Sequence, residues 1–394
     1  MISSESTKQG ELQSETFFKR KVRFISPWER LLATMKILNE KPVLPGNALR
    51  RLCRILFLLC GTTFFLSSAY AVPPVSMVNG VLKKTGYVCL VRALQEDSAK
   101  RLWIGMFGAG IWVLDGTRAR PMAPDPQGHP DVRASKIVRR GSKMIVASSG
   151  GGVEVYDPTG KSWKALATSP VVRSRHFHAL CPMGKKDWLL GSVGEGIFLS
   201  REGVWRNLTQ ADGLPGDWVN DAIPASGGTW IGTAEGLAFL DPSGKMRMEL
   251  PERGWRDGNI NVLALFRGEL YLGTGAGGLV VRSVTADEEK MSSKKKPRFR
   301  TIEGIPPEVH GLFSDKERLW VAAEEGFFSI DSKGAAEKVY GPWASGTAFT
   351  SVAAYHNGLV VGTADGMVYH GGHNMKWKPL FSYHCESSKG GSRK

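Results

Sequence analysis

The sequence predicts an all-β protein, a seven-bladed β-propeller of four-stranded antiparallel blades, on three observations. A short apolar run ending in a small residue recurs seven times at intervals of 40 to 49 residues, the spacing expected of propeller blades. These runs do not alternate apolar with polar, so both faces of the strands they form must be covered. The 47 glycines among 394 residues call for many tight turns rather than helices. Apolar residues make up 42% of the chain, enough to exclude wholesale disorder.

The first element from the N-terminus is an address. Arg50, Arg51 and Arg54 precede an apolar run, Ile55 to Leu66, that ends in Ser67-Ser-Ala-Tyr-Ala71. That order of charge, apolar run and small-x-small tripeptide reads as a secretory leader. The run is shorter than the roughly 20 residues a comfortable bilayer span needs. Residues 1–71 are therefore expected to be an N-terminal extension and signal peptide, with Met35 as an alternative start. The expected location is periplasmic or secreted, with the membrane reached only through an uncleaved leader. Removing 1–71 lowers the formal charge from +15 to +9, a surplus that still favours anionic partners. Only Cys89, Cys181 and Cys385 remain. An odd count leaves at least one free thiol and no readable disulfide framework.

The blades follow, over 72–385, with 386–394 as a flexible basic tail. The repeat runs Arg101-Leu-Trp-Ile-Gly105, Lys143-Met-Ile-Val-Ala147, Asp187-Trp-Leu-Leu-Gly191 and Thr229-Trp-Ile-Gly232. It continues as Glu269-Leu-Tyr-Leu-Gly273, Arg318-Leu-Trp-Val-Ala322 and Gly358-Leu-Val-Val-Gly362. Each run is the second strand of a blade, and its terminal small residue lets the adjacent sheet approach closely. An innermost strand comes before it, as in Trp218 to Ile223. A glycine turn and a third strand come after it, as in Leu237 to Leu240. Asp157-Pro-Thr-Gly160, Asp241-Pro-Ser-Gly244 and Asp331-Ser-Lys-Gly334 end the third strands, where an aspartate can accept from the turn backbone ahead of it. The one long interval, 49 residues, holds Lys290 to Lys296, read as a charged hairpin insertion. Residues 72–84 are available as a strand that closes the ring.

Leu208-Thr-Gln-Ala-Asp-Gly-Leu-Pro215, Trp218-Val-Asn-Asp-Ala222 and Thr229-Trp-Ile-Gly-Thr-Ala-Glu-Gly-Leu237 together resemble the two-component regulator propeller repeat. The likeness is strongest in the fourth blade, clear in the first and sixth, and degenerate elsewhere. It implies an extracytoplasmic propeller of the kind that forms the sensory half of membrane histidine kinases. No kinase or DNA-binding segment follows in this sequence, so the resemblance is expected to extend to the propeller and not to a signalling output.

The repeat also marks a candidate site. An apolar anchor lies 13 positions before the small residue in five blades: Ala134, Val219, Ile260, Val309 and Phe349. Phe177 is the equivalent at 14, and Val88 at 17, across a longer turn. The residues that follow these anchors are Cys89, Ser135, His178, Asn220, Asn261, His310 and Thr350. Innermost strands line the central channel, so this polar register is expected to face channel water. Arg133, His176, Trp218, Asn259 and Glu308 precede anchors near the same mouth, and Arg175 adds a cation that could hold a carboxylate or sulfate. A structure that turned the ring into the blade–blade interfaces would remove the pocket. His176 and His178 on one strand are half of a metal site, without a third ligand at suitable spacing. No metal, cofactor or catalytic residue is assigned.

Three functional classes remain. The favoured one is a non-catalytic exported propeller binding a ligand or partner protein on one ring face. Its partner would be an anionic or polar small molecule, an oligosaccharide or an envelope protein, and not nucleic acid. The second is a polysaccharide or peptide lyase or hydrolase at the channel mouth. Glu308 is the one acidic mouth residue, whereas acid–base chemistry on sugars usually needs two. The third is a scaffold subunit of an envelope complex.

Overall fold

The computed structural model describes residues 89–122, 133–167, 169–249, 258–283, 298–372 and 376–383. They form seven antiparallel four-stranded sheets, each built from strands consecutive in sequence. The expected propeller is what the structure shows. The innermost strands of blades 1 to 7 are Leu90–Glu96, Arg133–Arg140, Phe177–Met183, Val219–Ala225, Ile260–Phe266, Val309–Ser314 and Phe349–Tyr355. Each packs against the next, and that of blade 7 packs against that of blade 1. The ring is closed.

The core consists of seven apolar clusters, each drawn from two neighbouring blades. Trp103, Ile104, Leu189, Ile231, Leu272 and Val321 lie in the second strands with at most trace exposure. Their unbroken apolar pattern follows, since a blade flanked by two others has no solvent face here. What sets the spacing between blades is the small residue that ends each run. A Cβ added to Gly105 would lie 2.9 Å from the Ala134 Cβ, and one on Gly191 would lie 2.5 Å from Val219 Cγ1. The same holds for Gly232 against Ile260 Cγ2 at 2.7 Å and Gly273 against Val309 Cγ1 at 2.6 Å. Ala147 shares a cluster with Phe177, and Ala322 with Phe349. Gly362 lies equally tight against Val91. The small residue of each blade thus receives the anchor of the next, and the seventh interface repeats the other six.

Polar side chains tie the turns. Asp97 accepts from the Trp103 indole at 3.0 Å, from Arg101 Nε at 2.8 Å and from two backbone N–H groups. Asp315 does the same for Trp320 at 2.7 Å and for the backbone of Glu317 and Arg318. Burial pushes the Asp97 carboxyl up, but the donors from Arg101 and Trp103 together hold it below its ordinary value. Asp241 accepts from Lys245 N at 2.9 Å, Asp331 from Ala335 N at 2.9 Å, and Asp157 from Thr159 N at 3.0 Å, as their position in the sequence suggests. In the Leu208–Pro215 segment, Thr209 caps a single 3-10 turn, Gln210–Asp212, and Gly213 ends it at φ 103°. That is a left-handed conformation suited to glycine.

Residues 1–71, the proposed closing strand 72–84, the insertion Lys290 to Lys296 and the tail 386–394 lie outside the described residues. Every blade still has its own four strands. Cys89 is disulfide-bonded. Cys181 is free and buried, and burial pushes its thiol up to about 12. No helix among the described residues is long and apolar enough to cross a membrane.

The close approach can be measured. Gly232→Val should cost about 1–3 kcal/mol of stability or more, because the branched side chain must displace Ile260 in a packed interface. Asp97→Ala should cost about 1–3 kcal/mol by leaving the buried Trp103 N–H without an acceptor. Urea unfolding midpoints would check both.

Candidate ligand site at the channel mouth

The candidate ring is a ring of β-bulges. In every innermost strand the pairing with the second strand slips by one residue just after the anchor. The skipped residues are Arg92, Ser135, His178, Asn220, Asn261, His310 and Thr350. A bulge leaves its extra residue out of the ladder and re-aims its side chain. Six of the seven are the residues that the sequence singled out. Blade 1 differs: its anchor is Val91 and its bulged residue Arg92, not Val88 and Cys89. Cys89 is buried one residue before the strand begins.

The bulged side chains divide into two groups. Asn220 Nδ2 donates to the carbonyl of Ile260 at 2.9 Å, Asn261 Nδ2 to that of Val309 at 3.0 Å, and Thr350 Oγ1 to that of Val91 at 2.6 Å. In each case the acceptor is the anchor of the following blade. Asn220 also donates to Asn259 Oδ1 at 3.0 Å, and Ser135 turns back to the Arg133 carbonyl at 3.3 Å. Asn220, Asn261 and Thr350 therefore join blades, and Ser135, His178, His310 and Thr350 are buried, so the expectation that this register faces channel water is corrected: three of its side chains are taken up at the blade–blade interfaces. His178 and His310 behave differently. Both are more than nine-tenths buried, at 6% and 7% exposure. Neither ring nitrogen of His310 has a hydrogen-bond partner, nor does His178 Nδ1. His178 Nε2 lies 3.3 Å from Ser149 Oγ.

Of the mouth residues, Arg133, Arg175, His176 and Trp218 belong to neighbouring blades 2 to 4. Arg175 donates Nε to the Gly150 carbonyl at 2.9 Å, while Gly150 and Gly152 donate to the Arg175 carbonyl. Arg133 sits over the Phe107 ring at 5.4 Å. His176 feels the charges of Glu195, Arg133 and Arg175, and burial keeps its pKa low. Trp218 meets the His178 ring edge-on at 6.1 Å, with its indole N–H unpartnered. Asn259 and Glu308 belong to blades 5 and 6, beside Gly275 and Glu324. Two groups missing from the sequence reading complete the picture. Lys136 Nζ lies 2.9 Å from Asp221 Oδ1, reaching from blade 2 to blade 4. Asp221, 2% exposed, also accepts from the Leu263 N–H of blade 5 at 3.0 Å. Each directly follows a bulge. Among the described residues no group of three or more His, Cys, Asp or Glu side chains is arranged to hold a metal ion.

Burial, reinforced by the Arg92 charge, pushes both His178 and His310 down to about 3, and a hydrogen bond with Asn220 works the other way at His178. Both imidazoles are neutral in the folded protein at ordinary pH. The unfolded chain takes up a proton at each as pH falls below about 6.5, whereas the fold refuses it until about 3. Stability therefore falls on acidification across that window, by up to about 1.4 kcal/mol per pH unit per histidine. His310→Gln should remove one histidine's share of the slope. Chemical unfolding from pH 7 to pH 4 would show it, and an unchanged slope would refute it.

No protein-family model matches the chain, and no curated protein does. Solved structures are similar to it. The extracellular domain assigned to the hybrid two-component system BT3049 of B. thetaiotaomicron superposes with a TM-score of 0.59 at 19% identity, over 73% of this chain and 39% of that one. The corresponding domain of BT4673 gives 0.58 at 15% identity, over 75% and 38%. PorZ, an essential bacterial surface component of the type-IX secretion system of Porphyromonas gingivalis, gives 0.53 at 12% identity, over 75% and 38%. The chain thus spans about two-fifths of the length of these proteins. At such identities the likeness establishes the propeller architecture.

Proposed function

We propose that this is an exported, non-catalytic propeller, periplasmic or secreted, that binds a polar anionic ligand at one mouth of its channel in the manner of a sensor's receiving half. The observation that carries the reading is a set of buried polar atoms without partners on and beside the innermost strands: His176 Nδ1, His178 Nδ1, Trp218 Nε1 and both nitrogens of His310. An unsatisfied buried polar atom costs about 1–3 kcal/mol, so a guest that supplies its partners is favoured. The charges of Arg133 and Arg175 both reach His176 and favour negative charge beside it. Trp218 offers an aromatic surface to the apolar side of a sugar ring. Acidic oligosaccharides and dicarboxylates combine these features. The likeness to extracellular domains of two-component systems supports a sensor role. The likeness to a secretion-system surface component supports a second reading, a scaffold within an envelope complex.

A thermal-shift screen of galacturonate oligomers and dicarboxylates should give a hit that Arg175→Ala weakens about tenfold, the scale of one lost charged hydrogen bond. Turnover of a hit would overturn the non-catalytic reading. Co-purification with an envelope protein in the absence of any hit would favour the scaffold.

A further inference from the structure

We propose that the face opposite the channel mouth docks on a membrane surface rich in anionic lipid, through the hairpins of blades 2 and 3. This goes beyond the ligand reading given above and concerns the other side of the ring.

Antiparallel topology sorts the hairpins. In each blade the turns between strands one and two and between strands three and four leave the sheet on one face. The turn between strands two and three leaves it on the other, beside the bulges and the mouth. The two faces differ in charge. On the mouth side, the seven turns between strands two and three hold Glu195, Glu235, Glu324, Glu325 and Asp365, and no lysine or arginine. On the opposite side, blade 2 presents Arg139, Lys143 and Lys161, and blade 3 presents Lys185 and Lys186, all exposed. The carboxylates beside them are Asp157, Asp187 and Glu202.

Side-chain contacts join these turns into one surface. Arg140 crosses from blade 2 to blade 3, donating to the Gly184 carbonyl at 2.6 Å and lying 4.6 Å from the Trp188 ring. Within blade 2, Lys143 pairs with Asp157 at 3.2 Å. Within blade 3, Asp187 accepts from the Glu202 N–H at 2.8 Å and from Ser200 Oγ at 3.4 Å. Two of the three carboxylates are thereby engaged. Among the described residues, Arg139, Lys161, Lys185 and Lys186 form no ion pair. Cations of this face in other blades are matched: Lys100 with Glu96 and Arg101 with Asp97, both at 2.7 Å, and Arg318 with Glu337 at 3.3 Å. The surplus therefore belongs to blades 2 and 3.

Val204 opens the outer strand of blade 3 at the same turn and is 64% exposed. Basic side chains displayed with an apolar one suit the headgroup boundary of a bilayer. Each Lys or Arg held near an anionic leaflet adds to the attraction. An extended plane of negative charge also repels the carboxylates of the far face, so it orients the ring. The mouth is then left open to solvent.

The test is flotation of the full chain with vesicles of phosphatidylcholine alone and of an equal mixture of phosphatidylcholine and phosphatidylglycerol. The leader is common to every variant, so differences between variants report on the propeller. Binding to the mixture should be the stronger and should weaken as salt rises. Lys185→Glu combined with Lys186→Glu should lower affinity for the mixture more than about tenfold, at roughly fivefold per lost cation. Glu202→Lys should raise it about fivefold, a gain that a misfolded variant cannot give. Glu235→Lys, on the opposite face, should leave it unchanged. Equal binding to the two vesicles, or affinity that neither the double reversal nor Glu202→Lys alters, would overturn the inference. So would a cross-link from Lys185 or Lys186 to an acidic envelope protein without preference for anionic vesicles. The mouth reading fails separately: a galacturonate hit stands without vesicle binding, and vesicle binding stands without a hit.

Discussion

The whole architecture rests on a missing side chain. Where each second strand ends, glycine or alanine leaves room for the anchor of the next blade, and a heavier residue at Gly191, Gly232 or Gly273 would meet that anchor within van der Waals contact. Dispersion and apolar burial depend on this approach, because the clusters that stabilise the protein lie between blades and not within them. No blade has a core of its own. The ring is the smallest unit that covers every sheet face.

The same approach explains the polar ring. An anchor driven against the neighbouring sheet pulls its strand out of register, and the bulge beside it absorbs the mismatch. The bulge exposes a carbonyl, and three of the seven blades answer it with a donor from the preceding blade. An amide or hydroxyl there is consumed by the fold, whereas the ring nitrogens of His310 are left without a partner.

Much of this was legible in the residues. The period and the unbroken apolar runs of the second strands specify sheets covered on both sides, and hence blades. The bulged position was legible in six blades because an apolar anchor followed by a polar residue recurs at a nearly constant distance. It failed in blade 1, where Val91–Arg92 fits the spacing seen at Phe177–His178, but Val88–Cys89 offered a competing apolar–polar pair. The Lys136–Asp221 contact was not legible, since it joins positions 85 residues apart and belongs to no repeat. Nor could the sequence distinguish Asn261, which joins two blades, from His310, which has no partner. That difference depends on the reach of a side chain across an interface, which no periodicity encodes.

The last interface has a consequence for how the chain is threaded. Gly362 meets Val91 as each small residue meets the next anchor, Thr350 and Ser351 both donate to the Val91 carbonyl, and Cys89 and Tyr383 lie side by side against Gly366. No exchanged strand is needed among the described residues to lock the circle. The two ends of the propeller are consequently neighbours, and the packing is indifferent to which blade comes first in translation. Circularly permuted chains, opened at a turn between two blades and joined across Cys89 and Tyr383, present the same seven interfaces.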